Sequence, residues 1–188
     1  MSQPRIISGK ARGIRLQDVP GDITRPVTDR VKEAFFNILS NDIVDARFLD
    51  LFGGTGSIGI EALSRGAASC TFIDLHAQAI QTIKANLKST RLESSARVHQ
   101  MDAFRYLESS SSEVFEYIYI APPQYKEMWI KALELVDQKV ELLAEDGWVI
   151  VQIHPVELAE VTLKNLHEFD RREYGSTVLL FYARNDLT

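Results

Sequence analysis

The chain has 188 residues, of which 45% are hydrophobic and 25% are charged. This length supports one domain around a single core, and the globular composition excludes fibrous, coiled-coil and disordered chains. Cys70 is the only cysteine, which excludes an intramolecular disulfide and a cysteine-rich zinc site. With no apolar run near the ~20 residues of a membrane span and no secretory signal, we expect a cytoplasmic protein without metal or membrane partners.

The net charge of −5 is an average over two unequal parts. Residues 1–32 hold seven basic and three acidic groups, a net charge of +4. The rest of the chain holds fourteen basic and 23 acidic groups, a net charge of −9. A basic arm on an acidic body favours a polyanionic partner, although a merely solvated arm has the same pattern.

The N-terminal segment predicts a hairpin followed by a helix. Residues 5–7 and 14–16 form short extended runs joined by the glycine-bounded turn 8–13. Thr28 is a candidate N-cap for an amphipathic helix with Val31 and Phe35 on its apolar face.

From Phe48 onward, short apolar runs alternate with helical patterns. The runs predict buried strands at 48–52, 70–74, 98–102, 117–120 and 148–153. Helical periodicity covers 56–65, 76–91, 103–108, 126–143 and 155–167. This alternation predicts a largely parallel sheet with helices on both faces, and residues 171–182 predict an antiparallel hairpin that closes it.

A glycine-rich loop follows the first of these strands. Gly53, Gly54, Thr55 and Gly56 occupy it, and glycines allow a sharp turn and close approach of a ligand. Asp74 ends the next strand, where it suits a ribose. Both nicotinamide and S-adenosylmethionine sites use such a loop and acid, so the pattern alone leaves both open.

Two further acids favour S-adenosylmethionine. Asp50 lies in the first strand, where a dinucleotide site normally has an apolar residue and where a carboxylate can reach a cationic aminoacyl group. Asp102 closes the third strand and suits an adenine amino group. Together with Asp74 these acids would line one nucleoside-sized crevice, although each alone fits a solvated or helix-capping carboxylate.

The fourth strand ends in Ala121-Pro122-Pro123-Gln124-Tyr125. The two prolines fix the backbone, so the carbonyls of Ala121 and Pro122 can act as rigid acceptors for an exocyclic base amine. A rigid strand-to-helix turn is the alternative interpretation.

Four segments together resemble the RsmD-type bacterial 16S ribosomal RNA guanine-N2 methyltransferases. They are residues 48–56, 61–67, 5–9 and 25–33, and the resemblance extends over essentially the whole chain. It implies a class I methyltransferase (Rossmann-like) α/β fold, with a seven-stranded mostly parallel sheet and an antiparallel C-terminal strand. It further implies an RNA-binding appendage at residues 1–45, comprising the β-hairpin and helix, and a methyltransferase domain at 46–188.

The resemblance also assigns roles to residues. For the cofactor S-adenosylmethionine it implies that the methionine part is held by Asp50, Gly53 and Gly56, with Gly54 and Thr55 of the same loop. It implies that Asp74 binds the ribose and that Asp102 with Ala103 binds the adenine. Thr28, Arg25 and Arg30 would lie near the mouth of the site. The expected contacts to 16S rRNA, in the small subunit or its assembly intermediate, are Arg5, Lys10, Arg12, Arg15, Arg25 and Arg30. We expect the protein to act as a monomer.

The sequence departs from the family at the catalytic motif, where the family has Asp-Pro-Pro followed by Phe or Tyr. Ala121 replaces the aspartate, and loss of such a charge-assisted bond would cost about 2–4 kcal/mol of transition-state stabilisation. Gln124 could supply a replacement oxygen and Tyr125 a stacking face. We expect reduced methyl transfer; the alternatives are a protein that binds cofactor or RNA in ribosome assembly without catalysis, and an NAD-dependent oxidoreductase.

Overall fold

The computed structural model describes residues 3–21, 27–109, 112–124 and 127–186. Within these ranges the chain forms one seven-stranded sheet with helices on both faces. The strands are β1 (Arg47–Asp50), β2 (Ser69–Asp74), β3 (Ala96–Gln100), β4 (Phe115–Ile120), β5 (Leu143–Ile153), β6 (Leu166–Tyr174) and β7 (Thr177–Arg184). The α-helices are α1 (Asp29–Leu39), α2 (Ser57–Ser64), α3 (Ala77–Thr90), α4 (Ala103–Glu108) and α5 (Met128–Gln138).

The strand order is β3-β2-β1-β4-β5-β7-β6. The first five strands in that order are parallel, and β7 is antiparallel to both β5 and β6. The predicted parallel sheet with an antiparallel C-terminal hairpin is therefore confirmed. Strands β2 and β3 are added on one side of β1, and β4 and β5 on the other, so the order of strand addition reverses at β1. Open α/β sheets bind ligands at the carboxyl ends of the strands beside such a switch point.

Successive residues of the central strands bury opposite faces of the sheet. Phe48 and Tyr119 join the apolar cluster under α1, α2 and α3, whereas Leu49 and Ile118 join the cluster under α4 and α5. All four are at most 1% exposed. This two-sided burial explains why the strands read as nearly continuous apolar runs.

The N-terminal hairpin, residues 4–16, packs directly against the core. Arg5 and Arg15 pair across it in an antiparallel bridge, while Ile6 and Leu16 are at most 1% exposed. Gly9, at φ +87°, lies so close to α2 that a Cβ would sit 1.9 Å from the Ser64 carbonyl oxygen. The predicted hairpin is confirmed, and its turn requires glycine at this contact.

Helix α1 continues from the hairpin into the same apolar cluster. The Thr28 hydroxyl accepts a hydrogen bond from Val31 N, which confirms the predicted N-cap. Phe35 is fully buried, with its ring 5.2 Å from that of Tyr119. Hairpin and α1 therefore share one apolar cluster with the sheet, and a functional division at residue 45 stays a prediction.

The predicted helix over 155–167 is wrong. Only Pro155–Glu157 form a single 3-10 turn, and residues 158–165 are irregular up to β6. The buried Asp137 carboxylate accepts hydrogen bonds from the backbone nitrogens of Lys164, Asn165 and Leu166 at 2.7–2.9 Å. These bonds hold the segment extended as it enters β6, so a tertiary contact overrides the apolar periodicity.

We predict that Asp137→Ala lowers the free energy of unfolding by about 2–4 kcal/mol, because backbone donors lose a charged acceptor. Urea denaturation measures the change. Glu134→Ala, an exposed position on the same helix, is the control and should change stability by less than about 0.5 kcal/mol. Equal losses in the two variants would contradict this role of Asp137.

Candidate active site

The glycine-rich loop connects the carboxyl end of β1 to the start of α2. Gly53 N donates to the Ile73 carbonyl at 2.8 Å, and Gly56 N donates to the Gly53 carbonyl at 2.8 Å. Gly54 and Gly56 adopt left-handed φ angles of 56° and 81°. Such angles strain other residues, so the glycines keep the loop tight over the end of the sheet.

Asp74 fastens this loop to the end of β2. One carboxylate oxygen accepts Gly54 N at 2.9 Å, and the other accepts His76 N at 2.9 Å. The side chain is half-buried, so part of it remains exposed at this edge of the sheet. The structure thus brings together Asp74 and the glycine loop, as the sequence predicts.

Asp50 lies beneath the loop and is 2% exposed. Its carboxylate accepts Gly59 N at 3.2 Å. Burial raises the pKa of Asp50 well above its usual range, the Gly59 hydrogen bond opposes that rise, and the nearby charge of Asp74 adds to it. A cation placed close to Asp50 would therefore stabilise its ionised form.

Asp102 caps the helix that follows β3. Its carboxylate accepts Arg105 N at 3.0 Å, and Ala103, the first residue of α4, is 5% exposed. Strand β3 ends at Gln100, so the prediction that Asp102 closes this strand is wrong, and the alternative of a helix-capping carboxylate is confirmed. The half-buried side chain still lies at the same sheet edge as Asp74, because β2 and β3 run parallel.

The proline turn follows β4 directly beside the glycine loop. Asp50 pairs with Tyr119 in the parallel β1–β4 register, so Ala121 and the loop emerge at the same edge. Ala121 is half-buried, Pro122 is buried and Gln124 is exposed. Pro123 is half-buried, and Tyr125 lies outside the described residues.

The predicted RNA-binding residues divide into two groups along α2. Arg5 and Arg15 lie at the open end of the hairpin, where the Arg5 Nε contacts an Asp29 oxygen at 2.7 Å. Arg30 is exposed one residue after Asp29. The tip, with exposed Lys10 and Arg12, contacts the far end of α2 through Lys10 N and the Ser64 carbonyl. Arg25 lies outside the described residues.

Most of the predicted RNA-binding side chains are free to contact a ligand. Within the described ranges, Lys10, Arg12, Arg15 and Arg30 form no ion pair. Thr28, predicted near the cofactor, is exposed at the start of α1 with its hydroxyl engaged in the cap.

Three residues near the loop escaped the sequence reasoning. Asn86 and Lys32 are each 1% exposed and hydrogen-bonded beside the loop, and Leu75 is 56% exposed immediately after Asp74. Asn86 and Lys32 stand on the apolar faces of their helices, next to Leu87 and Val31. A polar residue on an apolar helix face is the signal that could have found them.

Across the described part of the chain, no three His, Cys, Asp or Glu side chains cluster as a metal site would need. In that same part, none of the helices combines the length and apolar character of a membrane span.

The strand order, the glycine loop after β1 and the antiparallel β7 define the class I methyltransferase fold, an α/β Rossmann-like architecture. The chain belongs to the family described as Conserved hypothetical protein 95, whose model matches residues 4–183.

Relatives of known sequence or structure agree with this membership. YlbH of Bacillus subtilis (strain 168) is 41% identical over 183 residues, which cover 96% of this chain and 98% of YlbH. Ribosomal RNA small subunit methyltransferase D of Escherichia coli (strain K12) is 38% identical over 149 residues, 78% of this chain and 70% of that protein. The solved structure of yhhF from Escherichia coli has a TM-score of 0.84 at 31% identity, with 97% and 98% of the two chains covered.

We predict distinct effects for two strand-end acids on amide hydrogen exchange. Asp74→Ala should speed exchange at Gly54 and His76, which lose their acceptor, whereas Asp102→Ala should speed it at Arg105 and cost about 1 kcal/mol of stability. Each variant is the control for the other. Faster exchange at Gly54 in Asp102→Ala but not in Asp74→Ala would contradict the assignment.

Proposed function

We propose that the protein transfers a methyl group from S-adenosylmethionine to the exocyclic N2 of a guanine in 16S rRNA. The observation that carries the proposal is the meeting of the glycine loop, three strand-end acids and the proline turn at one sheet edge. The relative named ribosomal RNA small subunit methyltransferase D supports the rRNA substrate. The proposed partner is the small subunit or its assembly intermediate. We propose that the protein acts on it in the cytoplasm as a monomer.

The residues at this edge fit the cofactor. Asp50 is a buried carboxylate that accepts Gly59 N, and a sulfonium or ammonium cation beside it would stabilise its ionised form. The residues proposed to hold the methionine part are Asp50, Gly53, Gly54, Thr55 and Gly56. Asp74 would bind the ribose, and Asp102 with Ala103 the adenine. The bound cofactor supplies an electrophilic methyl group on sulfur.

The proline turn would orient the target amine. The Ala121 and Pro122 carbonyls can accept the N2 hydrogens, which directs the nitrogen lone pair toward the methyl group. When bound, S-adenosylmethionine would supply the methyl group and leave as S-adenosylhomocysteine, and the methylated nitrogen would release its extra proton to water. Gln124 would add an acceptor and Tyr125 a stacking surface for the base.

Arg5, Lys10, Arg12, Arg15, Arg25 and Arg30 are the residues proposed to contact RNA phosphates. Arg5 and Arg15 face each other in a non-hydrogen-bonded cross-strand pair, flanked by the Ile6 N to Ile14 O and Leu16 N to Pro4 O bonds. Such pairs bring side chains close, and like charges opposite one another repel. Among the described residues, Asp29 pairs with Arg5 and no acid pairs with Arg15, so a phosphate would relieve the repulsion between the two arginines.

Two alternatives stand behind this proposal. The antiparallel β7 and the acid at the end of β1 disfavour the NAD-dependent oxidoreductase. Ala121, in place of the family's aspartate, favours the second candidate, a protein that binds cofactor and RNA in ribosome assembly without catalysis.

We predict that Ala121→Asp increases kcat for methyl transfer to unmethylated small-subunit particles by at least about tenfold, with KM for S-adenosylmethionine unchanged. The restored carboxylate accepts a hydrogen bond from the target amine. Ala121→Ser, without a carboxylate, is the control and should remain near the natural rate. Binding of cofactor and particles without turnover in any variant would favour the assembly role instead.

We predict that S-adenosylmethionine binding releases a proton from Asp50. In the free protein the raised pKa keeps this carboxyl protonated to higher pH, and a bound cation favours the ionised form, so affinity should rise with pH until the free pKa is passed. Titration calorimetry in buffers of different ionisation enthalpy counts the proton. Asp50→Asn should bind without release; proton release that persists in Asp50→Asn would contradict the assignment.

A further inference from the structure

Two buried polar side chains hold the residues on either side of Gly56. Asn86, on α3, donates from Nδ2 to the Thr55 carbonyl at 2.9 Å. Lys32, on α1, donates from Nζ to the Ser57 hydroxyl at 3.0 Å. Both side chains are 1% exposed, so these contacts are shielded from water.

The same two side chains also hold the N-terminal hairpin. Lys32 Nζ donates to the Arg5 carbonyl in the first strand of the hairpin. Asn86 accepts Gln17 N at 2.7 Å and donates back to the Gln17 carbonyl at 3.1 Å, immediately after the second strand. We call the hydrogen bonds of Lys32 the first joint and those of Asn86 the second: each side chain connects one strand of the hairpin to one side of the glycine loop.

The joints cannot open without leaving buried polar groups unpaired. The Asn86 amide oxygen accepts one hydrogen bond, and its NH₂ group donates two, to the carbonyls of Gln17 and Thr55. A displacement of residue 17 would break the amide's contacts, and the same amide holds Thr55. Hairpin and loop therefore share one set of buried hydrogen bonds, whose loss is costly.

We infer that the joints couple RNA binding on the hairpin to cofactor binding at the loop, with Asn86 as a positioning residue. The inference rests on the proposed function. A phosphate on Arg5 and Arg15 would fix the backbone at both joints, and hence Thr55 and Ser57, in one conformation. By linkage, the cofactor increases RNA affinity by the same factor that RNA increases cofactor affinity.

The experiment compares the affinity of a 16S rRNA transcript with and without saturating S-adenosylhomocysteine, which permits no turnover. Natural protein should bind the transcript at least about fivefold more tightly with the nucleoside present. Asn86→Ala should reduce this factor below about twofold. Thr82→Ala is the matched control, because Thr82 is a buried α3 residue whose hydroxyl donates only to the Gln78 carbonyl of its own helix.

Ser57→Ala tests the Lys32 joint without removing the Lys32 charge. It should also reduce the factor, and its fold can be verified by thermal unfolding beside Thr82→Ala. A full factor in both Asn86→Ala and Ser57→Ala would overturn the inference, as would a natural protein that binds both ligands independently. Equal loss in Thr82→Ala would also overturn it, because general loosening of α3 would then explain the effect. Failure of the natural protein to bind either ligand would instead contradict the proposed function.

Discussion

The position of the N-terminal hairpin depends on one buried carboxylate. Glu61 is fully buried on α2 and accepts Ile7 N and Ser8 N at 2.9 and 3.1 Å, while Arg65 Nε lies 2.8 Å and Lys32 Nζ 3.4 Å from its oxygens. Burial lowers the pKa of Lys32, and the charge of Glu61 raises it. A buried charge is tolerated only with such partners, and removal of one partner typically costs about 3–5 kcal/mol. The Glu61 carboxylate therefore fixes the hairpin against α2, because loss of any one of its partners would leave a buried charge without compensation.

This carboxylate also organises the site at a distance. Lys32 on α1 pairs with Glu61 and also donates to the Ser57 hydroxyl at the start of α2, so the buried ion pair is connected to the end of the glycine-rich loop. Gly59 on the same helix packs so closely that a Cβ would lie 2.3 Å from the Phe72 ring, which fixes α2 against β2. The loop therefore lies between the sheet and the two side chains, Lys32 and Asn86, that also hold the hairpin.

The sequence predicts the alternating framework because periodicity is a local property. The alternation of strands and helices and the Thr28 cap follow from residues within a few positions of one another. The joints do not, because nothing near Asn86 in sequence identifies Gln17 as its partner, 69 residues away. The irregular segment before β6 escapes for the same reason: its backbone donors meet Asp137, which stands in a different helix. Local patterns thus predict elements, and buried polar contacts between distant residues decide how those elements join.

The separation of opposite charges constrains the kind of polyanion that fits. Under the proposed function, the acids at the sheet edge would meet a small cationic cofactor, while the basic residues of the hairpin extend from Arg15 at its open end to Arg12 at its tip. Helix α2 has eight residues between those ends, which is about 12 Å at 1.5 Å per residue. Under the proposed function, a single nucleotide at this edge would reach only the nearer group, so the tip would add affinity only when further phosphates are held in place. A folded RNA would meet that condition and a free nucleotide would not, which is why the proposed substrate is a structured rRNA.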